Sequence, residues 1–125
     1  MEYRVCRNNP APYNDLNGKI SLLGLGTMRL PLRDAADQTS IDEEKAQEIF
    51  DYAYAHGVNY FDTAYPYHGG MSEKFCGKAL AKYPRASYHL ASKLPGWLLK
   101  CDEDVPRIFN EQLANCRTDY FDFYL

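Results

Sequence analysis

Three residues have types and positions suited to acid–base chemistry: Asp62, Tyr67 and Lys93. The first two lie in the stretch GVNYFDTAYPYHGGMSEKFCG, residues 57–77, which opens on a helix-stopping glycine and runs into a short apolar strand. That strand delivers Asp62 at its carboxyl end, and a loop rich in Tyr, Gly and Pro presents Tyr67 five residues later. A strand-end carboxylate followed by a phenol suits an acid–base site, and Lys93 is an amine that could couple the two. Taken singly, each has a plainer use: Asp62 as a turn cap, Tyr67 as one of eleven packing tyrosines, Lys93 as a solvated surface charge. Their joint arrival at predicted strand ends favours the chemical reading.

The elements that must position these residues follow from periodicity and punctuation. Residues 2–5 and 19–22 read as short strands, joined through 8–18, a loop dense in Asn, Pro, Asp and Gly. LLGLGTMRLP, residues 22–31, starts as a buried strand and breaks at Gly24 and Gly26, where backbone or a ligand could approach closely. The G-L-G there is a fragment of a dinucleotide fingerprint, but no helix follows at once and no third glycine falls at the right offset. A Rossmann phosphate loop is therefore not expected. After a polar loop at 33–39, Ser40-Ile41-Asp42-Glu43 has the form of a capping box. Ala46, Ile49, Phe50 and Ala53 then recur at helical spacing until Gly57 ends the run.

Strand and helix continue to alternate. Residues 58–62 predict a strand, 72–82 a helix capped by Ser72 with Phe75, Ala79 and Leu80 on one face, and 88–92 a further strand ending at Lys93. Asp102 and Asp104 place negative charge at the start of another helix, with Pro106 in its first turn and Val105, Ile108, Phe109 and Leu113 as its apolar stripe. Residues 120–125 close the series as a strand-like run. Such alternation implies an α/β fold with parallel strands and right-handed crossovers. Two architectures satisfy it, a doubly wound open sheet or part of an eight-stranded barrel. In both, function collects at the carboxyl ends of strands, where Gly26, Asp62 and Lys93 fall.

Composition narrows the function classes. The chain has 125 residues, 46% hydrophobic and 25% charged, enough for one domain spanning 1–125 with a real core. A net charge of −3 with scattered Lys and Arg argues against a nucleic-acid or anionic-membrane partner. The four cysteines, Cys6, Cys76, Cys101 and Cys116, are far apart, which is poor spacing for a metal or cluster and fits free thiols in a reducing compartment. The N-terminal MEYRVCRNNP has no signal-peptide core, and no apolar run reaches the ~20 residues a membrane helix needs. A cytoplasmic location is expected.

In order along the chain, GLGTMRLP, GVNYFDTAYPYHGGMSEKFCGKAL, LASKLP and LANCRTDYFDFYL resemble the motifs of the aldo-keto reductase family. Within it, the sequence is most similar to the branch whose full-length members carry a C-terminal ferredoxin-like iron–sulfur segment. The 125 residues hold no such segment, so no cluster is carried over. The resemblance implies a (β/α)8 TIM barrel with an N-terminal β-hairpin plugging its floor, of which about four of eight strands are present. It also implies NADPH-dependent reduction of a small-molecule aldehyde or ketone by an Asp, Tyr, Lys, His tetrad.

By motif, Asp62, Tyr67 and Lys93 match the first three members of that tetrad. The histidine lies, in the family, just beyond the strand matching DYFDFYL, and none of His56, His68 or His89 matches it. The chemistry accounts for the residue types. A carbonyl accepting hydride develops negative charge on oxygen and needs a proton donor, but a free tyrosine, with a pKa of about 10, is a weak acid near neutrality. An ammonium beside a phenol favours the phenolate, and a carboxylate paired with the amine keeps it charged and oriented. The resemblance thus makes Tyr67 the proton donor, Lys93 its electrostatic modulator and Asp62 the anchor of Lys93. It also places Gly26, Thr27, Met28 and Asp62 beside the nicotinamide, with no metal. His68 could face a substrate but reads more simply as an exposed loop histidine, and Trp97 reads as lining a pocket mouth or packing on the barrel rim. A complete barrel of this type needs about 250 residues. The expectation is therefore an N-terminal fragment of such an oxidoreductase, inactive alone. The alternative is a non-catalytic half-barrel that self-associates or pairs with a partner through open sheet edges.

Overall fold

A computed structural model describes residues 1–5 and 19–125. The predicted loop at 8–18, and Cys6, lie outside the described residues. Strands β1 (Tyr3–Val5) and β2 (Lys19–Ser21) form the expected antiparallel hairpin, with Tyr3 opposite Ser21. Its docking point is Asn59, just before the next long element of the sheet. The Ser21 N–H donates to Asn59 Oδ1 at 2.8 Å, and the Asn59 N–H donates to Ser21 Oγ at 3.1 Å. The hairpin therefore sits at the amino end of the parallel strands, opposite the end that carries Asp62.

The main sheet comprises β3 (Leu25–Gly26), β4 (Tyr60–Asp62), β5 (His89–Ser92) and β6 (Phe123–Tyr124), all parallel, in the order β3-β4-β5-β6. Helices α1 (Glu43–Ala55), α2 (Met71–Leu80) and α3 (Asp104–Asn115) alternate with these strands. Each strand pairs with its sequence neighbour and the order never reverses. That excludes the doubly wound arrangement, which needs a switch point, and fits the wall of a barrel.

The core lies between sheet and helices. Phe61 of β4 and Leu90 of β5 project into it and meet Ala46 and Phe50 of α1 and Phe75, Ala79 and Leu80 of α2, all buried. Phe50 stacks on Phe61 at 5.3 Å between centroids and meets Phe75 edge-on at 5.4 Å. Each such side chain contributes roughly 1.5–3 kcal/mol by leaving water. The period-2 alternation of β4 sends Tyr60 to the other face, where its ring lies 5.4 Å from that of Phe123.

Helix ends depart from expectation in instructive ways. The cap of α1 is Asp42, whose carboxylate accepts the Lys45 N–H at 3.3 Å. Ser40 instead closes the preceding loop, accepting the Asp34 N–H and donating to the Asp37 carbonyl at 2.7 Å. At the other end, the Gly57 N–H bonds to Tyr54 O and the Val58 N–H to Ala53 O, with Gly57 at φ 88°, a Schellman stop that uses glycine's freedom. Ser72 does not cap α2; it lies inside the first turn, and Gly70 in the left-handed region precedes the helix. Two residues of the predicted apolar stripes, Ile49 and Val105, are exposed, because each lies at the margin of its helix's buried face.

Helices α2 and α3 approach very closely at Gly77. A Cβ there would lie 2.6 Å from both the Asn115 carbonyl oxygen and the Cys116 carbonyl carbon. Cys76 and Cys116 are buried and free, and burial pushes the Cys76 thiol up to about 12. Among the described residues no helix is long and apolar enough to cross a membrane.

Candidate active site

The register of the sheet brings the predicted residues together. Gly26, Asp62 and Ala91 are in line across β3, β4 and β5, so Asp62 ends its strand between two small neighbours. Lys93 follows β5 directly and reaches across to β4. Its Nζ donates to Asp62 Oδ1 at 2.7 Å and to the Thr63 carbonyl at 2.8 Å. The same nitrogen lies 5.1 Å from the centroid of the Tyr67 ring. Two of the ammonium's three donors are thus engaged by oxygen, and the phenol ring faces the ion at a distance suited to cation–π attraction. The side chains of Lys93 and Asp62 retain 31% and 27% of their exposure, so solvent or a ligand reaches both.

Tyr67 begins a tight turn, Tyr67–Gly70, which His68 and Gly69 continue at positive φ. His68 holds φ 54° without being glycine, a conformation of the kind usually over-determined by its surroundings. Here the cause is visible. The Leu30 N–H donates to His68 Nε2 at 3.1 Å, so Nδ1 carries the proton and donates to the Gln38 carbonyl at 2.9 Å. The ring is buried and ties residues 30–38 to the turn that presents Tyr67. The expectation of an exposed loop histidine is corrected: His68 is buried, and backbone partners take the place of water at both ring nitrogens.

Of the positions expected beside a nicotinamide, Gly26 is open, with nothing within 4 Å of where a Cβ would stand, and Met28 is 59% exposed. Thr27 is fully buried and its side chain is committed elsewhere. Its hydroxyl donates to the Asp62 carbonyl at 3.0 Å and lies 2.7 Å from Ser72 Oγ, which is 3.0 Å from Thr63 Oγ1. Ser72 therefore joins the two loops that flank Asp62. A cavity of about 320 Å³ opens beside the cluster, lined by Ala64, Pro66, Tyr67, Lys93, Trp97 and Leu125 among others. Trp97 is 75% exposed at its edge, so of its two expected places the structure supports the pocket mouth.

Sequence reasoning missed the layer behind Lys93. Glu73 of α2 is fully buried and accepts hydrogen bonds from Ser92 Oγ at 2.7 Å, Gln112 Nε2 at 2.7 Å and Asn115 Nδ2 at 3.2 Å. Gln112 also donates to the Lys93 carbonyl at 3.0 Å, and its own Oε1 accepts the Tyr124 hydroxyl at 2.6 Å. A usable signal was present: Gln112 lies four residues after buried Ile108, on the apolar stripe of α3, where a polar side chain demands partners.

A barrel-wall sheet thus carries an Asp–Lys–Tyr cluster at its carboxyl end, and comparison with known proteins identifies the family of the scaffold. The sequence profile of the Aldo/keto reductase family matches residues 22–125, and the chain belongs to that family. L-galactose dehydrogenase of Arabidopsis thaliana is 34% identical over 110 residues, which is 83% of this chain and 33% of the relative. Protein tas of Escherichia coli is 30% identical over 132 residues, 90% of this chain and 36% of the relative. A thermostable aldo-keto reductase solved with the inhibitor epalrestat superposes with a TM-score of 0.71 at 29% identity, over 99% of this chain and 42% of that one. An aldo-keto reductase from Klebsiella pneumoniae solved with NADPH gives a TM-score of 0.70 at 25% identity, over 99% and 39%. The chain thus spans well under half the length of the relatives it matches.

Proposed function

We propose that residues 1–125 carry the proton-donating part of the active site of an NADPH-dependent carbonyl reductase, acting on a small aldehyde or ketone. The observation that supports this most is the place of Lys93 Nζ, 2.7 Å from Asp62 and 5.1 Å from the Tyr67 ring centroid. NADPH, when bound, supplies the hydride. Tyr67 passes its hydroxyl proton to the oxygen that becomes negative, and Lys93 stabilises the phenolate left behind. Asp62 keeps the ammonium charged and aimed. Gly26 and Met28 would hold the nicotinamide end, where the missing Cβ of Gly26 leaves room for a flat ring. The cavity beside Tyr67 and Lys93 is mostly apolar in lining and would take the carbonyl substrate.

Matching relatives are more than twice as long, and none of His56, His68 and His89 falls at the family's fourth tetrad position. The 125-residue polypeptide by itself is therefore expected to oxidise no NADPH with simple aldehydes, while a longer gene product containing it should do so. Steady turnover by the short polypeptide would refute the inactivity. In the active form, Tyr67→Phe should lower kcat by roughly 10³-fold with cofactor affinity nearly unchanged, the range expected for loss of a general acid. An unaltered kcat would remove Tyr67 from its role.

A second reading rests on the open sheet, in which β3 and β6 each have one strand neighbour among the described residues. Such edges favour pairing with a partner or a second copy. A concentration-dependent dimer on sizing, folding cooperatively and lacking turnover in every gene product, would favour this non-catalytic module.

A further inference from the structure

Behind the proposed site lysine lies a buried polar lattice that the chemistry above does not use. Gln112 and Glu73 are both fully buried, on facing helices α3 and α2. Burying a glutamine and a glutamate is costly unless every polar atom is partnered, and an apolar cluster of the same volume is often as stable. Stability alone gives no reason for them. What the lattice does fix is the backbone where β5 ends. The Gln112 Nε2 group lies 3.0 Å from the Lys93 carbonyl, 2.9 Å from the Ser92 hydroxyl and 2.7 Å from Glu73 Oε1, so its two protons are shared among three acceptors. Ser92 Oγ donates its own proton to Glu73, which leaves its lone pairs for Gln112. The Tyr124 hydroxyl donates to Gln112 Oε1 and so fixes which way the amide faces.

We infer that Gln112, held by Glu73 and oriented by Tyr124, is the positioning residue for Lys93. The Lys93 carbonyl lies one residue beyond the last sheet position, and its peptide is held from both sides: the Leu94 N–H donates to the Leu125 carbonyl at 2.8 Å, and the Lys93 carbonyl accepts from Gln112. Gln112 supplies the side-chain half of that clamp, and the clamped peptide sets the direction in which the Lys93 side chain leaves the backbone toward Asp62 and Thr63. The inference rests on the reading of Lys93 as the site amine, but it concerns the geometry of that amine and can be tested without turnover.

The test measures the rate at which a water-soluble acylating reagent labels each lysine at one fixed pH, read by peptide mass spectrometry. Lys82, paired with Asp51 at 2.7 Å and remote from the lattice, serves as the ion-paired reference. Gln112→Leu should raise the labelling rate of Lys93 relative to Lys82 about fivefold, the factor corresponding to one ordinary hydrogen bond. Tyr124→Phe, which removes only the orienting hydroxyl, should raise it by a smaller factor with the melting temperature little changed. A purely structural lattice would move melting and leave the Lys93-to-Lys82 ratio alone. An unchanged ratio in folded Gln112→Leu overturns the inference, and if that variant fails to fold, an unchanged ratio in Tyr124→Phe overturns it equally. Raised labelling in a protein whose longest gene product reduces no carbonyl would support the positioning role and sink the reductase reading. Turnover with unchanged labelling would do the reverse.

Discussion

Two ion pairs of nearly equal length stand at opposite ends of the same parallel strands. At the carboxyl end, Lys93 meets Asp62 at 2.7 Å; at the amino end, Arg85 meets Asp122 at 2.6 Å. The Arg85 guanidinium engages four of its five N–H donors. It also bonds to Thr118 Oγ1, Tyr88 O and Tyr120 O, and its plane lies 3.9 Å from the Tyr120 ring centroid and 4.9 Å from that of Tyr88. The Asp122 side chain is 2% exposed and accepts the Leu90 N–H at 2.8 Å as well. Lys93 has two oxygen partners, one phenol face and an open cavity beside it. The difference teaches how one fold separates tasks. A planar, always-charged fork rich in partners locks β6 to the turn before β5, whereas a point charge left partly solvated can respond to charge developing on a ligand.

Breaking the more deeply buried pair should have the larger effect on folding. Asp122→Ala leaves Arg85 without its carboxylate and should cost roughly 3 kcal/mol, or a fall in melting temperature of about 10 °C. A loss below 1 kcal/mol in denaturant titration would mean that the ring stacking alone holds the clamp. Acid sharpens the same contrast. Burial pushes the Asp122 carboxyl up, but hydrogen bonds from His89, the Leu90 N–H and Arg85 outweigh it and hold the group below the usual carboxylate range. Its folded value is therefore the depressed one, so its stabilisation is present above about pH 4 and is lost as pH falls through that folded value. Urea midpoints at pH 7 and pH 3 should differ less in Asp122→Ala than in the parent protein. Equal differences would remove Asp122 from the acid response.

At the open end, Asp62→Asn should change stability by no more than about 1 kcal/mol, since both partners are partly solvated. Its signature is chemical: any carbonyl reduction by the active form should fall, and Lys93 should become easier to acylate. A large melting shift without either change would recast the pair as structural. The smallest effect is expected at Asp51, whose carboxyl is held at about 2 by hydrogen bonds from Lys82 and Tyr83 on an exposed surface. Asp51→Asn should alter stability by less than about 0.5 kcal/mol, checked by denaturant titration in low and high salt.

The βα alternation and the carboxyl-end location of Asp62, Tyr67 and Lys93 were legible because they rest on local periodicity and on motifs read in order. Alternation alone allows a reversal of sheet order that β3-β4-β5-β6 does not make; the barrel order was implied only by the family resemblance, and the structure bears it out. Side chains whose hydrogen-bond partners the local pattern does not specify were misread. Ser40 and Ser72 both have the form of helix caps, yet one closes a loop on Asp34 and Asp37 and the other meets Thr27 and Thr63. His68 looked solvated because nothing adjacent signals the Leu30 amide or the Gln38 carbonyl. Local pattern assigns Glu73 to water and puts Gln112 on an apolar stripe without naming its partners, and only the meeting of α2, α3 and β5 supplies them.

The contact at Gly77 carries a consequence for all of this. There the spacing of two helices is dictated by a missing side chain, with main-chain atoms of 115 and 116 where a methyl would stand. Any bulk added at that point must push α3 outward, and α3 is the element that bears Asn115 and Gln112. A site made of charged groups is thus tuned from a distance by one hydrogen atom on the far flank of the barrel wall.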